Sequence, residues 1–360
     1  MNNRTLKATF AFTSLIVGLH IVAYFYPKTL FWGFHFLGFL PAYDLILYGI
    51  LFCLSLTYML TRGAERPLSF ISELMSSKPT VFLGICIVTF IGGVFLFHIR
   101  APLLGDSFFV INNLANTFRG AHVLHTYSEP FAMAVFYVLL KLLGTVSYPE
   151  MLRGFFVVDA ILGIGFMINL FVIVRNLLTD PKEQALLFFY VLATPTMQLF
   201  FGYVESYPVV LFSLSLFLLV VVLYHKQKLP FSMVFPLYLL QVLVHFLNVL
   251  FAPAVLYLAY HERKNKGARH ILLGMGITIA LASIILLAAG GDIVRYLPKA
   301  AHTHYLSLVQ TGDLYQSYTL FPAYHFIDLA NLVMLLAPFT IFLLAIVYLK
   351  EFLRNIGEGW

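Results

Sequence analysis

Long apolar runs separated by short polar stretches pattern this chain of 360 residues. The runs fall at about 8–26, 41–60, 80–98, 152–174, 185–200, 208–224, 231–244, 248–260, 271–289 and 326–349. Many approach the roughly 20 residues that a helix needs to cross a bilayer. They are continuous rather than alternating, which argues against a β-barrel. The pattern predicts an all-α, polytopic integral membrane protein with about ten transmembrane helices. No internal repeat, low-complexity tract or flexible linker interrupts it, so 1–360 reads as a single membrane domain with outer loops at 99–150 and 290–325.

Two stretches need separate treatment. FAMAVFYVLLKLLG, 131–144, is short for a span and carries Lys141. Were it to cross, everything after it would invert, so it is expected to lie along the outer surface or as a shallow hairpin. The run 231–260 is too long for one ordinary span, and it reads as two short spans meeting near His245 and Asn248. Within the first outer loop, 106–119 has helical periodicity. At 100° per residue, Phe108, Ile111, Leu114, Ala115 and Phe118 share one arc, while Asp106, Asn112, Asn113, Asn116 and Arg119 share the other. Such a helix is expected to rest flat with its apolar side in lipid.

Composition agrees: 61% of residues are hydrophobic and 11% charged, against about 25% charged in a soluble domain. The two cysteines, Cys53 and Cys86, lie inside apolar runs and form neither a disulfide framework nor a zinc motif. The net charge of +6 is spread over short loops, where cations record membrane orientation rather than nucleic-acid binding. Most of the 22 Lys and Arg fall on one side of this layout, including Arg4, Lys7, Arg175, Lys182, Lys226, Lys228 and the basic loop 261–270. That side is therefore assigned to the cytoplasm, with both termini inside and a retained first span. The expected location is an integral multi-pass membrane protein, of the inner membrane if the cell is bacterial.

The other side collects ionisable groups. Asp106, Arg119, His122, His125 and Glu129 lie in the first outer loop, Glu205 in the short connection FGYVESYP, and Arg295, Lys299, His302, His304 and Asp313 in 290–325. Asp159 and Asp328 sit near outer ends of spans. Such groups are costly at membrane depth and are usually kept for function. Asp106 also suits an ordinary helix-start acid, as does Glu205 before Pro208. His245 and Asn248 suit a structural role more than a chemical one. The spacings His122-x-x-His125 and His302-x-His304 lack a third metal ligand in pattern.

The order of these features resembles the GT-C superfamily of membrane glycosyltransferases, nearest to protein O-mannosyltransferases and the aminoarabinose transferases of lipid A. GDSFFVINNLANTFRGAHVLHTYSEPF resembles their first outer loop, with Asp106 at the place of the catalytic acid. Glu129-Pro130 resembles the following proline motif, MLRGFFVVDAILG with Arg153 the start of the next span, and FFGYVESYPVVLF, with Glu205, a later outer connection. The likeness covers a core of about 80–260. It departs where Asp106 is followed by Ser107 rather than a second acid, and where Glu129 replaces the usual Lys or His.

The resemblance implies transfer of a sugar from a polyprenyl-phosphate donor to a glycan, lipid or protein acceptor at the outer face. A phosphate leaving group needs little protonation, so the requirement is a base near the acceptor hydroxyl and cations near the departing phosphate. Asp106 is the expected base. Arg119, His122, His125, Glu129, Glu205, Arg295, His302 and His304 are the expected substrate-binding residues. Besides donor and acceptor, the expected partner is membrane lipid, and nucleic acid is not expected. No cofactor is required, although the chemistry leaves room for a divalent metal. A transporter or flippase, and an inactive relative that binds lipid-linked sugar, are the competing readings.

Overall fold

The computed structural model describes residues 3–26, 33–34, 38, 42–62, 65–98, 107–120, 129–145, 147–266, 268–288 and 323–336. Among them the regular structure is helical and no strand occurs. In order the helices are α1 (Asn3–Phe25), α2 (Ala42–Arg62), α3 (Glu65–Ser77), α4 (Pro79–Phe97), α5 (Ser107–Phe118), α6 (Pro130–Leu142), α7 (Tyr148–Leu177), α8 (Pro181–Leu192), α9 (Tyr207–His225), α10 (Val234–Val244), α11 (Ala252–Lys266), α12 (Arg269–Ala288) and α13 (Ala323–Leu336). Two compact units result: one from 1–64 with 301–360, the other from 65–300.

In the first unit, α1 packs Ile16 and Ala23 with Phe34, and Met334 of α13 joins the cluster. The backbone N–H of Gly33 donates to the Asn331 side-chain oxygen at 3.1 Å. A side chain at position 33 would collide with the Asn331 carbonyl, so this close approach requires glycine. His20 Nδ1 bonds the Phe34 carbonyl at 2.9 Å.

The second unit is organised around α7. Its start is set by Ser147, whose N–H donates to Glu150 at 2.8 Å, with Pro149 in the first turn, where a missing N–H costs nothing. Its 30 residues make a rod about 45 Å long. In lipid, helices gain little from apolar burial alone, so small residues that allow close approach matter more. Three glycines do this: Gly154 meets Leu140, Gly163 meets Phe90 and Phe200, and Gly165 meets Phe212.

The α7–α9 contacts reveal their relative direction. Asn169 Nδ2 donates to Ser215 Oγ at 2.9 Å, a separation of 46 residues. Nearly the same spacing relates Gly165 of α7 to Phe212 of α9, so the two helices run parallel where they meet. The intervening α8 and the 3-10 turn Pro195–Phe200 must run back between them. Phe188 and Ala185 of α8 pack on Leu170, Phe171 and Val174 of α7, together with Met75 of α3 and Phe82 of α4.

One end of this unit is cationic. Arg175 ends α7, Asp180 caps α8 beside Lys182, and Lys228 Nζ donates to Asn176 at 2.7 Å. Tyr224 near the end of α9 donates to Glu262 of α11 at 3.0 Å and packs edge-on against Phe231, just before α10. Both outer ends of the 231–260 stretch thus return to the same level, and the stretch turns at His245 and the 3-10 segment Phe246–Phe251. This is the two-piece arrangement expected from its length.

Two elements differ from expectation in what they pack against. Helix α6 is buried around most of its circumference: Phe131, Ala132, Met133, Ala134, Phe136, Tyr137 and Leu140 all belong to the main core. Phe136 packs on Phe155 of α7 at 4.6 Å between ring centroids. It is a core element rather than a helix lying by one face on the surface. Helix α5 has the predicted arc, but Ile111, Leu114 and Ala115 face the protein core, while Phe108 and Phe109 are exposed. The apolar stripe is used for packing, and the exposed ring pair is left at its start. Helix α3 was not evident from the sequence, because Arg66, Glu73 and the serines obscure its Leu68–Ile71–Met75 stripe.

By length and composition, three helices among the described residues can cross a membrane: α4, α7 and α9. Shorter apolar helical stretches accompany them, including 11–25, 231–244 and 271–284.

Candidate functional site

Away from the cationic end, the starts of α6 and α9 meet the break after α10. Pro130 sets the first turn of α6, and the preceding Glu129 is held outside the helix. Its side chain turns sideways, with Oε1 3.2 Å from His245 Nε2. His245 itself has extended backbone, which ends α10. Its Nδ1 accepts the Leu247 N–H at 3.2 Å. In the neutral ring the proton must then sit on Nε2, from which it donates to the Glu129 carboxylate. The helix break thus fixes the tautomer that holds the acid. The side chains retain 12% and 22% exposure for His245 and Glu129, so the pair is shielded yet reachable.

The break is braced from the other side. Asn248 Nδ2 donates to the Gln241 carbonyl at 3.0 Å and to its side-chain oxygen at 2.9 Å. Gln241 and Asn248 are buried. The Tyr207 ring lies against His245 at 6.3 Å, 28° from parallel, which brings the start of α9 and the neighbouring Glu205 into the same region. Glu205 is buried and its N–H donates to the Tyr203 carbonyl at 2.8 Å. Burial, and then the negative charge of Glu205, push the Tyr203 hydroxyl above its ordinary pKa.

Of the expected site residues, the structure brings Glu129 into contact with His245, and places Glu205 two positions from Tyr207 on the same assembly. Arg119 is exposed, in the turn after α5. Phe118, beside it, stacks on Tyr137 at 4.8 Å, two helical turns along α6 from Glu129. Asp106, His122, His125, Arg295, His302 and His304 lie outside the described residues. Among the described residues, no group of three or more His, Cys, Asp or Glu is arranged to hold a metal.

Three features were not among the expected site residues. His245 was assigned to structure, because its acid partner lies on another helix. Asp159 is fully buried on α7, and neither carboxyl oxygen has a hydrogen-bond partner among the described residues. The Ser206 hydroxyl is buried too, and it likewise has no partner among them. On the far side of α6, Leu139, Leu142, Leu143, Val158, Ile161 and Leu162 line an apolar cavity of about 140 Å³.

No protein-family model, curated protein or solved structure matches the chain. Among the described residues, the fold and site define a helical protein with three helices long and apolar enough to cross a membrane and a semi-buried acid–imidazole pair at a helix break.

Proposed function

We propose that the chain is a GT-C-like membrane glycosyltransferase, an inverting enzyme that uses a polyprenyl-phosphate sugar at the outer face of the membrane. This reading includes about ten spans, both termini in the cytoplasm, and Asp106 as the base. The acceptor hydroxyl attacks the anomeric carbon, the carbon–oxygen bond to the phosphate breaks, and the hydroxyl proton passes to Asp106. The leaving polyprenyl phosphate keeps its negative charge, for which Arg119, Arg295 or a histidine of the outer loops supplies compensation. The observation that carries the reading is the Glu129–His245 contact, 3.2 Å long. It gives the acid of the proline motif a fixed orientation against His245, whose ring in turn lies against Tyr207. A ring such as Tyr207 suits stacking on a sugar, and the apolar α6–α7 cavity suits a lipid chain.

The test follows labelled polyprenyl-phosphate hexoses in membranes of the native cells, comparing wild type, a deletion and Asp106→Asn. The expected result is a new labelled product in wild type alone. Equal donor consumption in all three would overturn the proposal.

The broken helix at His245 favours a second reading, a transporter of lipid-linked sugar, since transporters place binding groups at such breaks. Movement of labelled donor between leaflets without a covalent product, lost on deletion, is the outcome that selects it.

A further inference from the structure

The two ring nitrogens of His245 tie it to different parts of the fold. As the residue before the 3-10 segment Phe246–Phe251, it caps that segment, with Nδ1 accepting the Leu247 N–H at 3.2 Å. Nε2 reaches Glu129 Oε1, just before α6, at 3.2 Å. The backbone fixes the residue from both sides. Its N–H donates to the Gln241 carbonyl at 3.0 Å, and its carbonyl accepts the Asn248 N–H at 3.0 Å. An imidazole differs from the usual Ser, Thr or Asn cap in one respect: its acceptor atom takes up a proton within the physiological pH range.

In the neutral ring the Nε2 proton points at Glu129, and the Nδ1 lone pair is taken by Leu247. An added proton goes to Nδ1, the one nitrogen that lacks it. Two N–H groups then face each other, and the cap at Leu247 is lost. At Nε2 the change has the opposite sign, because the hydrogen bond to the carboxylate becomes an ion pair. Among the described residues, Glu129 faces the ring from α6 and Tyr207 from the start of α9, with Glu205 two residues before it. Helix α10 brings Tyr238, whose hydroxyl donates to the Val249 carbonyl at 3.3 Å. Residues 271–288 of α12 bring no titratable side chain, and those of α11 begin at Tyr257, toward the end where Tyr224 bonds Glu262. Ordinary carboxyl and phenol groups titrate outside about pH 5–8, which leaves the imidazole as the group that changes charge there.

We propose that His245 is a proton-operated latch on the turn between α10 and α11. The neutral ring caps the 3-10 segment and closes the turn. The charged ring stays with Glu129 and releases Leu247, so the segment carrying exposed Leu247 and Leu250 loosens at acid pH. The Asn248–Gln241 bonds involve no titratable atom and keep the turn anchored in both states. The latch is independent of the glycosyltransferase reading, since it requires neither donor nor turnover.

A nitroxide is attached at exposed Leu250 of the full chain, with Cys53 and Cys86 replaced, and its mobility is followed in lipid nanodiscs between about pH 8 and about pH 5. The expected result is a reversible rise in mobility on acidification with a single-proton profile. The rise is absent in His245→Asn, whose side-chain oxygen can keep the cap without titrating. Amide exchange of the wild-type chain, corrected for its intrinsic pH dependence, is measured at the same two pH values. Protection over 245–251 is expected to fall several-fold at the lower pH, while that of 160–175 in α7 stays constant. This second measurement stands even where His245→Asn fails to fold. A pH-independent nitroxide in the wild-type background, the same pH response in His245→Asn, or unchanged protection over 245–251 overturns the proposal.

Discussion

Glu129 has two duties that substitution can separate. As an acceptor it satisfies His245 Nε2, and it also brings a carboxylate charge to the start of α6. Glu129→Gln keeps an oxygen for the imidazole and removes the charge. Glu129→Ala removes both, leaving a largely buried N–H unsatisfied at a cost of about 1–3 kcal/mol. Under the proposed transferase reading, both variants lose transfer by roughly 10²-fold, in the range for removing one electrostatic contributor. Only the alanine variant is expected to melt earlier in detergent. Equal melting of the two would show that the imidazole contact contributes nothing to the fold. The sequence singled out Glu129 and Glu205 by their place between apolar runs, although Glu205 also suited an ordinary helix-start acid. His245 was harder to read. A histidine in an apolar run announces neither its partner nor its tautomer, and here both depend on a backbone break that periodicity does not record. Asp159 posed a related problem: only packing reveals that its carboxyl is fully buried without a hydrogen-bond partner among the described residues.

At the scale of elements, the turn at His245–Asn248 depends on a short polar clamp rather than on glycine or a long loop. Asn248→Ala would remove both bonds to Gln241 and leave a buried amide acceptor unpaired. A loss of about 1–3 kcal/mol is expected, read as a lower unfolding temperature. Labelling of a cysteine introduced at exposed Leu247 should also become faster, since the turn would open. Unchanged melting and labelling would mean that the surrounding helices hold the turn without the clamp. The length of 231–260 announced a break, and the polar pair inside it announced where. The partners of α5 and α6 were less accessible. An apolar arc says that a face is buried, but it does not distinguish lipid from protein, and Ile111, Leu114 and Ala115 found protein. In α6 the apolar residues surround the helix, which marks burial on all sides.

For the whole molecule, the cationic end of the second unit, with Arg175, Lys182 and Lys228, predicts a sidedness. With Cys53 and Cys86 replaced, a cysteine at Lys182 or Lys228 should react with an impermeant maleimide only after the membrane is opened. A cysteine at exposed Lys141 should react in intact cells. The reverse pattern would invert the proposed orientation and move the acid–imidazole pair to the cytoplasmic half. The membrane class of the chain was plain from composition, because so few charges cannot clothe a water-facing surface. The division into two units was not, since the first unit joins distant parts of the chain. Gly33 and Asn331 are 298 positions apart, and that separation bears on how the protein is made. At roughly 5–20 residues per second of synthesis, the segment around Gly33 leaves the ribosome at least about 15 s before its partner exists. The segment around Gly33 must therefore wait while 65–300 are made, and its contact forms only once Asn331 of α13 has been synthesised.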